Sequence, residues 1–200
     1  MPFTQFKQDD FSRFGYEFTT KNLFDKKDIK LLRPSKWLLD TLERANNTGY
    51  NNEKSRSERL VSPILIELHE KNKGLFTLHS GVNLNVDEKL GLNGECDFVL
   101  SYDQNTDYLH APIFCITEAK KQDMEGGAIQ CSFQLIAAKQ YNEKESHYFE
   151  TLYGCTSSGV EWRFIKMTGN QIVADRTHYT IENLPRLLGV LQKIINDTKK

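Results

Sequence analysis

Apolar positions along this chain repeat with two different periods. Leu60, Val61, Ile64, Leu65 and Leu68 share one face at about 100° per residue, which predicts a helix over residues 53–73. Ser62-Pro63 inside it can restart a helix, so a kink or two short helices are expected. Residues 36–45, KWLLDTLERA, read as a short helix behind Pro34, and 46–52, NNTGYNN, as a loop. Period two then takes over. The second half of 75–86, the stretch 94–102 (GECDFVLSY) and 112–120 (PIFCITEAK) predict three strands, with a polar QNT turn before the third. Gly126-Gly127 reads as a break, followed by an amphipathic helix over 128–143. TLYGCTSS, VEWRFIKMT and QIVADRTHYT predict further strands, joined at Ser158-Gly159 and Gly169-Asn170, and LPRLLGVLQKIINDTK predicts a closing helix. Helix, three strands, helix, strands, helix is an α/β order: a central mixed β-sheet flanked by helices. No linker interrupts it. We read residues 1–200 as one domain, with a helical N-terminal extension over 1–50 and the core over 51–200.

Composition narrows the function classes. No apolar run is long enough to span a membrane, and the start has early acids and no long apolar segment, unlike a secretory signal. Four cysteines, at 96, 115, 131 and 155, form no C-x-x-C pair and read as small core residues of a reducing, cytoplasmic compartment. The histidines have no ligand spacing. The formal net charge of −1 argues against a protein that coats nucleic acid, and predicts weak, salt-sensitive nonspecific affinity.

Three charged residues stand out against this background. Asp97 interrupts one apolar run, and Glu118 and Lys120 close another with one residue between them. On a strand these last two emerge on one face. A carboxylate buried without a partner is costly, so the pattern asks for a cation. Asp97 and Glu118 would clamp one Mg²⁺ (or Mn²⁺), and the Ala119 backbone carbonyl would add a ligand. Lys120 would orient a water or stabilise charge on phosphorus. An ion pair at a strand end is the plainer alternative.

With these residues the chain resembles the PD-(D/E)XK nuclease superfamily, the restriction-endonuclease-like fold, over roughly residues 55–170. Cys96-Asp97 stands for the PD pair, with Cys in place of Pro. Glu118-Ala119-Lys120 stands for the (D/E)XK triplet, between a helix bearing Glu and a helix bearing Gln. The resemblance implies a mixed sheet between helices, a catalytic set of Asp97, Glu118 and Lys120, and a metal-dependent nuclease acting on DNA in preference to RNA. It also allows a homodimer that cuts two strands.

The resemblance also implies an acid on the preceding helix as a catalytic residue and further metal ligand, and this is Glu58, with Glu67 as its rival. The two face opposite ways in one continuous helix. Ser55-x-x-Glu58 also fits a capping box. Glu95 shares a face with Asp97 and reads as a solvated residue. Gln130 and Gln134, at i and i+4, offer a substrate or water contact, with Gln130 preferred and solvated surface the alternative. Lys121 and Lys139 are candidate phosphate contacts. GCTSSGVEW lacks the Lys-Ser/Thr of a P-loop and the motif that would make Ser157 a nucleophile, so it reads as a hairpin. Trp162 and Phe164 read as core. The competing functional readings are a catalytically silent module of this fold that binds nucleic acid or protein, and a metal hydrolase of another kind.

Overall fold

The structure, a computed structural model, describes residues 2–104, 107–120 and 123–199. One seven-stranded sheet organises it, in the order β1-β7-β6-β5-β4-β3-β2. The strands are β1 (Glu17–Lys21), β2 (Thr77–Asn83), β3 (Glu95–Ser101), β4 (Ile113–Ala119), β5 (Thr151–Ser157), β6 (Glu161–Thr168) and β7 (Gln171–Thr180). β4 pairs with β5 in parallel, as β1 does with β7, and every other pair is antiparallel. The expected α/β class with a mixed sheet between helices is the architecture found.

Helices cover both faces. On one lie α1 (Lys36–Thr48), α3 (Ser62–Lys71) and α5 (Leu184–Thr198), and the apolar face read from the sequence packs there: Val61, Ile64, Leu65 and Leu68 meet Phe98, Phe114 and Leu191. The 53–73 segment is helical throughout but not uniform. A short α2 (Glu53–Arg56) runs into a π-helical turn (Ser57–Val61) and then into α3, with Pro63 in its first turn. The Ser62 N–H reaches back to the Ser57 carbonyl, the longer step of a π turn. Pro63 has no N–H to give to the turn before it, and a widened turn ahead of it absorbs that loss.

The other face carries α4 (Met124–Lys144), and here two sequence expectations change. Gly126-Gly127 does not break the chain but lies in the first turn of α4, with Asp123 as N-cap accepting from the Gly126 N–H at 2.8 Å. The helix is also not amphipathic, because both of its sides are covered. Ala128, Cys131, Phe133, Leu135, Ile136, Ala137 and Ala138 are all buried. The second cover comes from the start of the chain, where Phe6 and Phe11 stack on Phe133 with ring centroids 4.0 and 4.5 Å apart. Residues 1–50 are therefore not simply a helical extension. They contribute 3₁₀ turns at Phe3–Gln5, Gln8–Phe14 and Lys26–Asp28, the edge strand β1, and α1.

The C-terminal strands follow the sequence reading closely. Ser158-Gly159 turns β5 into β6, and Gly159 has φ +82° with the Leu60 side chain packed where a Cβ would sit. Trp162 and Phe164 are core residues, and Trp162 Nε1 donates to the Gly159 carbonyl at 3.1 Å. Ser157 is fully buried in this hairpin and is no exposed nucleophile. The polar QNT turn falls partly on residues 105 and 106, outside the described residues.

Candidate active site

The strand register brings the three singled-out residues together. β3 and β4 pair with Phe98 opposite Thr117, so Asp97 and Glu118 follow one step along, at the same end of adjacent strands. Opposite residues of an antiparallel pair share a face. Asp97 Oδ2 accepts from the Ala119 N–H at 2.7 Å, which fixes it against the end of β4. Lys120 Nζ lies 3.0 Å from Glu118 Oε1. The backbone of Lys120 is held from the other side, its N–H donating to the Ser157 carbonyl of β5 at 2.7 Å.

Glu118 is only 3% exposed and is gripped from α4. Gln130 Nε2 donates to its Oε1 at 2.5 Å, and Gln134 Nε2 to its Oε2 at 2.9 Å. Both glutamines are buried, so neither is the solvated helix surface the sequence allowed, and Gln134 serves as fully as the preferred Gln130. Close packing of α4 on the sheet makes this possible. A Cβ on Gly127 would stand 2.8 Å from Lys120 Cγ and would also strike Thr156 Oγ1, so glycine is what lets the helix start approach the site.

A cleft of about 580 Å³ opens over Asp97 and Ala119, walled by α2, the π turn and β2. Glu53, on α2, lines it and lies 3.6 Å from Lys120 Nζ. The sequence reading passed over Glu53. Its polar surroundings, NNEKSRSE, give it no apolar frame, and only its place in the first helical turn marked it. The capping box is also displaced from the expected one: Asn52 is the N-cap, and Ser55 is its reciprocal partner, not the cap.

The two helical acids weighed in the sequence separate clearly. Glu58 is exposed on the cleft wall and pairs with Lys54 at 3.9 Å. It makes no described contact with Asp97, Glu118 or Lys120. Glu67 is excluded from the site, because its carboxylate accepts from Ser35 N and Ser35 Oγ at 2.7 and 2.6 Å and pairs with Lys71 at 3.2 Å. It ties α3 to the start of α1. Glu95 lies on the cleft wall, more exposed than Asp97. Lys139 is engaged elsewhere, donating to the Gly169 carbonyl at 3.3 Å beside the Tyr16 ring. Lys121 lies outside the described residues.

The electrostatics follow from these neighbours. Burial, reinforced by the charge of Asp97, pushes the Glu118 carboxyl up to about 7, although Lys120 and Gln134 pull the other way. Burial also raises Asp97, with Glu53 and Glu95 adding to it, against the Ala119 N–H and Lys120. Burial works against charge on Lys120, yet Glu118, Glu53 and Asp97 together hold its ammonium above the ordinary lysine range. The cleft is thus rich in carboxylates that repel one another.

A divalent cation would relieve that repulsion. Among the described residues no group of three or more His, Cys, Asp or Glu side chains is arranged to hold a metal. Mg²⁺ does not require one, since it commonly takes one or two carboxylates and keeps several waters. Two buried oxygens in this neighbourhood, Gln134 Oε1 and Thr156 Oγ1, find no hydrogen-bond partner among the described residues. Ordered water carried into the site would satisfy them. Asp97, Glu118 and the Ala119 carbonyl are the oxygens that such an ion would meet here, although Asp97 Oδ2 and both Glu118 oxygens already accept hydrogen bonds.

No family model, curated protein or solved structure matches this chain. No described helix is long and apolar enough to cross a membrane.

Proposed function

We propose that this protein is a metal-dependent nuclease of the PD-(D/E)XK type, hydrolysing phosphodiester bonds of DNA in preference to RNA. One observation carries the reading: Asp97, Glu118 and Lys120 meet at the ends of two adjacent strands beneath a cleft, with Lys120 Nζ 3.0 Å from Glu118. A mixed sheet with helices on both faces, a helix before the triplet and the helix bearing Gln130 and Gln134 after it support this reading, since they are what the resemblance leads one to expect.

Each residue then has a task. Asp97 and Glu118, with the Ala119 carbonyl, would hold Mg²⁺ or Mn²⁺. Such an ion supplies a water of lowered pKa and neutralises phosphate charge. Gln130 and Gln134 fix the carboxylate plane of Glu118. Lys120, kept charged by Glu118 and Glu53, stands where it can orient the attacking water or donate to a phosphate oxygen as charge builds there. Without a cation the carboxylates lining the cleft would repel a phosphodiester, so cleavage is expected to depend strictly on the metal. Four free, buried cysteines support a reducing, cytoplasmic setting.

The test is cleavage of single- and double-stranded DNA and RNA in Mg²⁺, Mn²⁺ or EDTA, beside Asp97→Ala and Lys120→Ala. Metal-dependent cleavage lost in both variants supports the nuclease. Cleavage surviving in both belongs to a contaminant and sinks it. The silent module is the second reading, favoured by the fact that both Glu118 oxygens already take hydrogen bonds from α4. Binding with no cleavage in any metal would select it.

A further inference from the structure

The cleft wall beside Asp97 carries Glu53, Glu58 and Glu95, so it repels a polyanion. The other direction along the same end of the sheet is different. Ala119 pairs with Ser157 at the end of β5, and Glu161, which starts β6, pairs with Thr180 at the end of β7. The ends of β4, β5 and β7 therefore lie in one row, and three strand spacings, roughly 14 Å, separate the first from the last. Within the row, Arg56 of α2 reaches the β5–β6 turn and donates through Nη1 to the Ser158 carbonyl at 2.9 Å. At the far end lies a pocket of about 290 Å³ whose lining includes Lys26, Thr177, His178, Thr180, Asn183 and Arg186.

Long-range bonds fix the walls of this pocket. The buried Asp175 carboxylate accepts from the Leu23 N–H at 3.2 Å, the Thr177 N–H at 3.0 Å and the Tyr179 hydroxyl at 3.3 Å, which fastens the segment carrying Lys26 to β7. The Leu32 N–H donates to the Pro185 carbonyl at 2.9 Å, which fastens the same segment to the first turn of α5. The Arg186 guanidinium rests over the Tyr179 ring, 5.8 Å from its centroid. Among the described residues Lys26, Arg56 and Arg186 form no ion pair, and the side chains of Thr177, Thr180 and Asn183 make no hydrogen bond. The acids nearby are Asp175, whose two oxygens are engaged, Glu161, which meets His178 at 2.6 Å, and the exposed Glu182. Two uncommitted cations, two hydroxyls and a carboxamide around one cavity are the donors that a phosphate group takes.

We propose that this pocket binds a phosphate group of the nucleic-acid strand that is cut at Lys120, and that the strand reaches it over Arg56. The proposal rests on the nuclease reading. It names the side on which the substrate lies: across the ends of β5, β6 and β7, away from the carboxylates of α2 and β3. Lysine and arginine that bind phosphates release counterions, so these contacts are read directly in the salt dependence of binding.

The full-length protein is titrated first with inorganic phosphate, against chloride at equal ionic strength, and followed by ¹⁵N–¹H NMR. The expected result is a set of shifts confined to Thr177, Thr180, Asn183 and the Arg186 guanidinium. Shifts no larger there than elsewhere overturn the pocket. Binding of labelled single- and double-stranded DNA is then followed by anisotropy in Ca²⁺, from about 50 to 200 mM salt. Lys26→Gln combined with Arg186→Gln, at an unchanged melting temperature, is expected to weaken binding roughly tenfold and to lower the slope of log K against log salt by about 1.5 to 2. Lys26→Gln alone, at an exposed side chain, is expected to lower the slope by about 0.7 to 0.9. Lys73→Gln makes the same charge change at the opposite end of the sheet, and is expected to leave the slope unaltered. A fall as large in Lys73→Gln as in Lys26→Gln is a net-charge effect and overturns the proposal. Phosphate shifts with no effect of the double variant on DNA binding limit the pocket to free phosphate, and overturn the route. Cleavage is scored separately. If Lys120→Ala abolishes it while the double variant binds DNA as the unaltered protein does, the route falls and the nuclease stands. If no metal supports cleavage but DNA binding still depends on Lys26 and Arg186, the nuclease reading falls alone.

Discussion

Two glutamates of this protein are almost equally buried and live in opposite circumstances. Glu67, between α3 and α1, is only 3% exposed, like Glu118 between β4 and α4. Glu67 is surrounded by donors: the Ser35 amide, the Ser35 hydroxyl and the Lys71 ammonium. Among the described residues no hydrogen bond or ion pair joins it to a second carboxylate. Glu118 also has donors, in Gln130, Gln134 and Lys120, but it shares its site with Asp97 and is pushed up to about 7. The first junction is complete as it stands. The second sets two carboxylates side by side at neighbouring strand ends, where burial and the charge of neighbouring carboxylates raise both. Burial alone therefore does not single out a candidate acid; a buried acid beside another acid is the stronger candidate.

The strongest way to break this contrast is to delete each carboxylate in turn. Glu118→Gln, which keeps the volume of the side chain, is expected to lower metal-dependent cleavage about 10³-fold while changing the melting temperature at pH 8 less than Glu67→Ala does. A large loss of stability with retained activity would reverse the assignment. Glu67→Ala is expected to do the opposite. It strands Ser35 and Lys71 and loosens α1, at a cost of about 3 kcal/mol in chemical denaturation, with the activity of the folded fraction unchanged.

A subtler separation comes from pH. The folded-state pKa of Glu118 is raised from the ordinary 4.5 to about 7, so between these values the native state holds a proton that the unfolded chain has released. Metal-free stability is then expected to fall as pH rises through that window, and Glu118→Gln to flatten the slope. A slope unaltered by Glu118→Gln, followed by denaturant midpoint from pH 4.5 to 8, would remove Glu118 as its source. The smallest effect sharpens the helical acid. Glu53→Gln is expected to cut activity several-fold and Glu58→Gln to change it less than twofold, in side-by-side initial rates. The reverse ranking would restore Glu58.

Much of this was legible in the sequence wherever the signal was local. Leu60, Val61, Ile64, Leu65 and Leu68 advertise a helix by their spacing, and Asp97, Glu118 and Lys120 stand out because alternating apolar neighbours frame them. What stayed hidden depends on distant partners. Glu67 looked like a site candidate because Ser35, which claims it, lies on another helix. Glu53 has no apolar frame, and reaches Lys120 only through the packing of α2 over the sheet end. α4 was misjudged as amphipathic because its second cover, Phe6 and Phe11, comes from the far end of the chain.

That second cover has a dynamic consequence. With the sheet beneath it and the N-terminal rings above, α4 can open to solvent only when the fold as a whole comes apart, so its amides are expected to be among the slowest to exchange. The two glutamines that hold Glu118 sit on this helix. Glu118 is therefore held from the most enclosed helix of the fold, and its two amide donors keep their places for as long as the fold does.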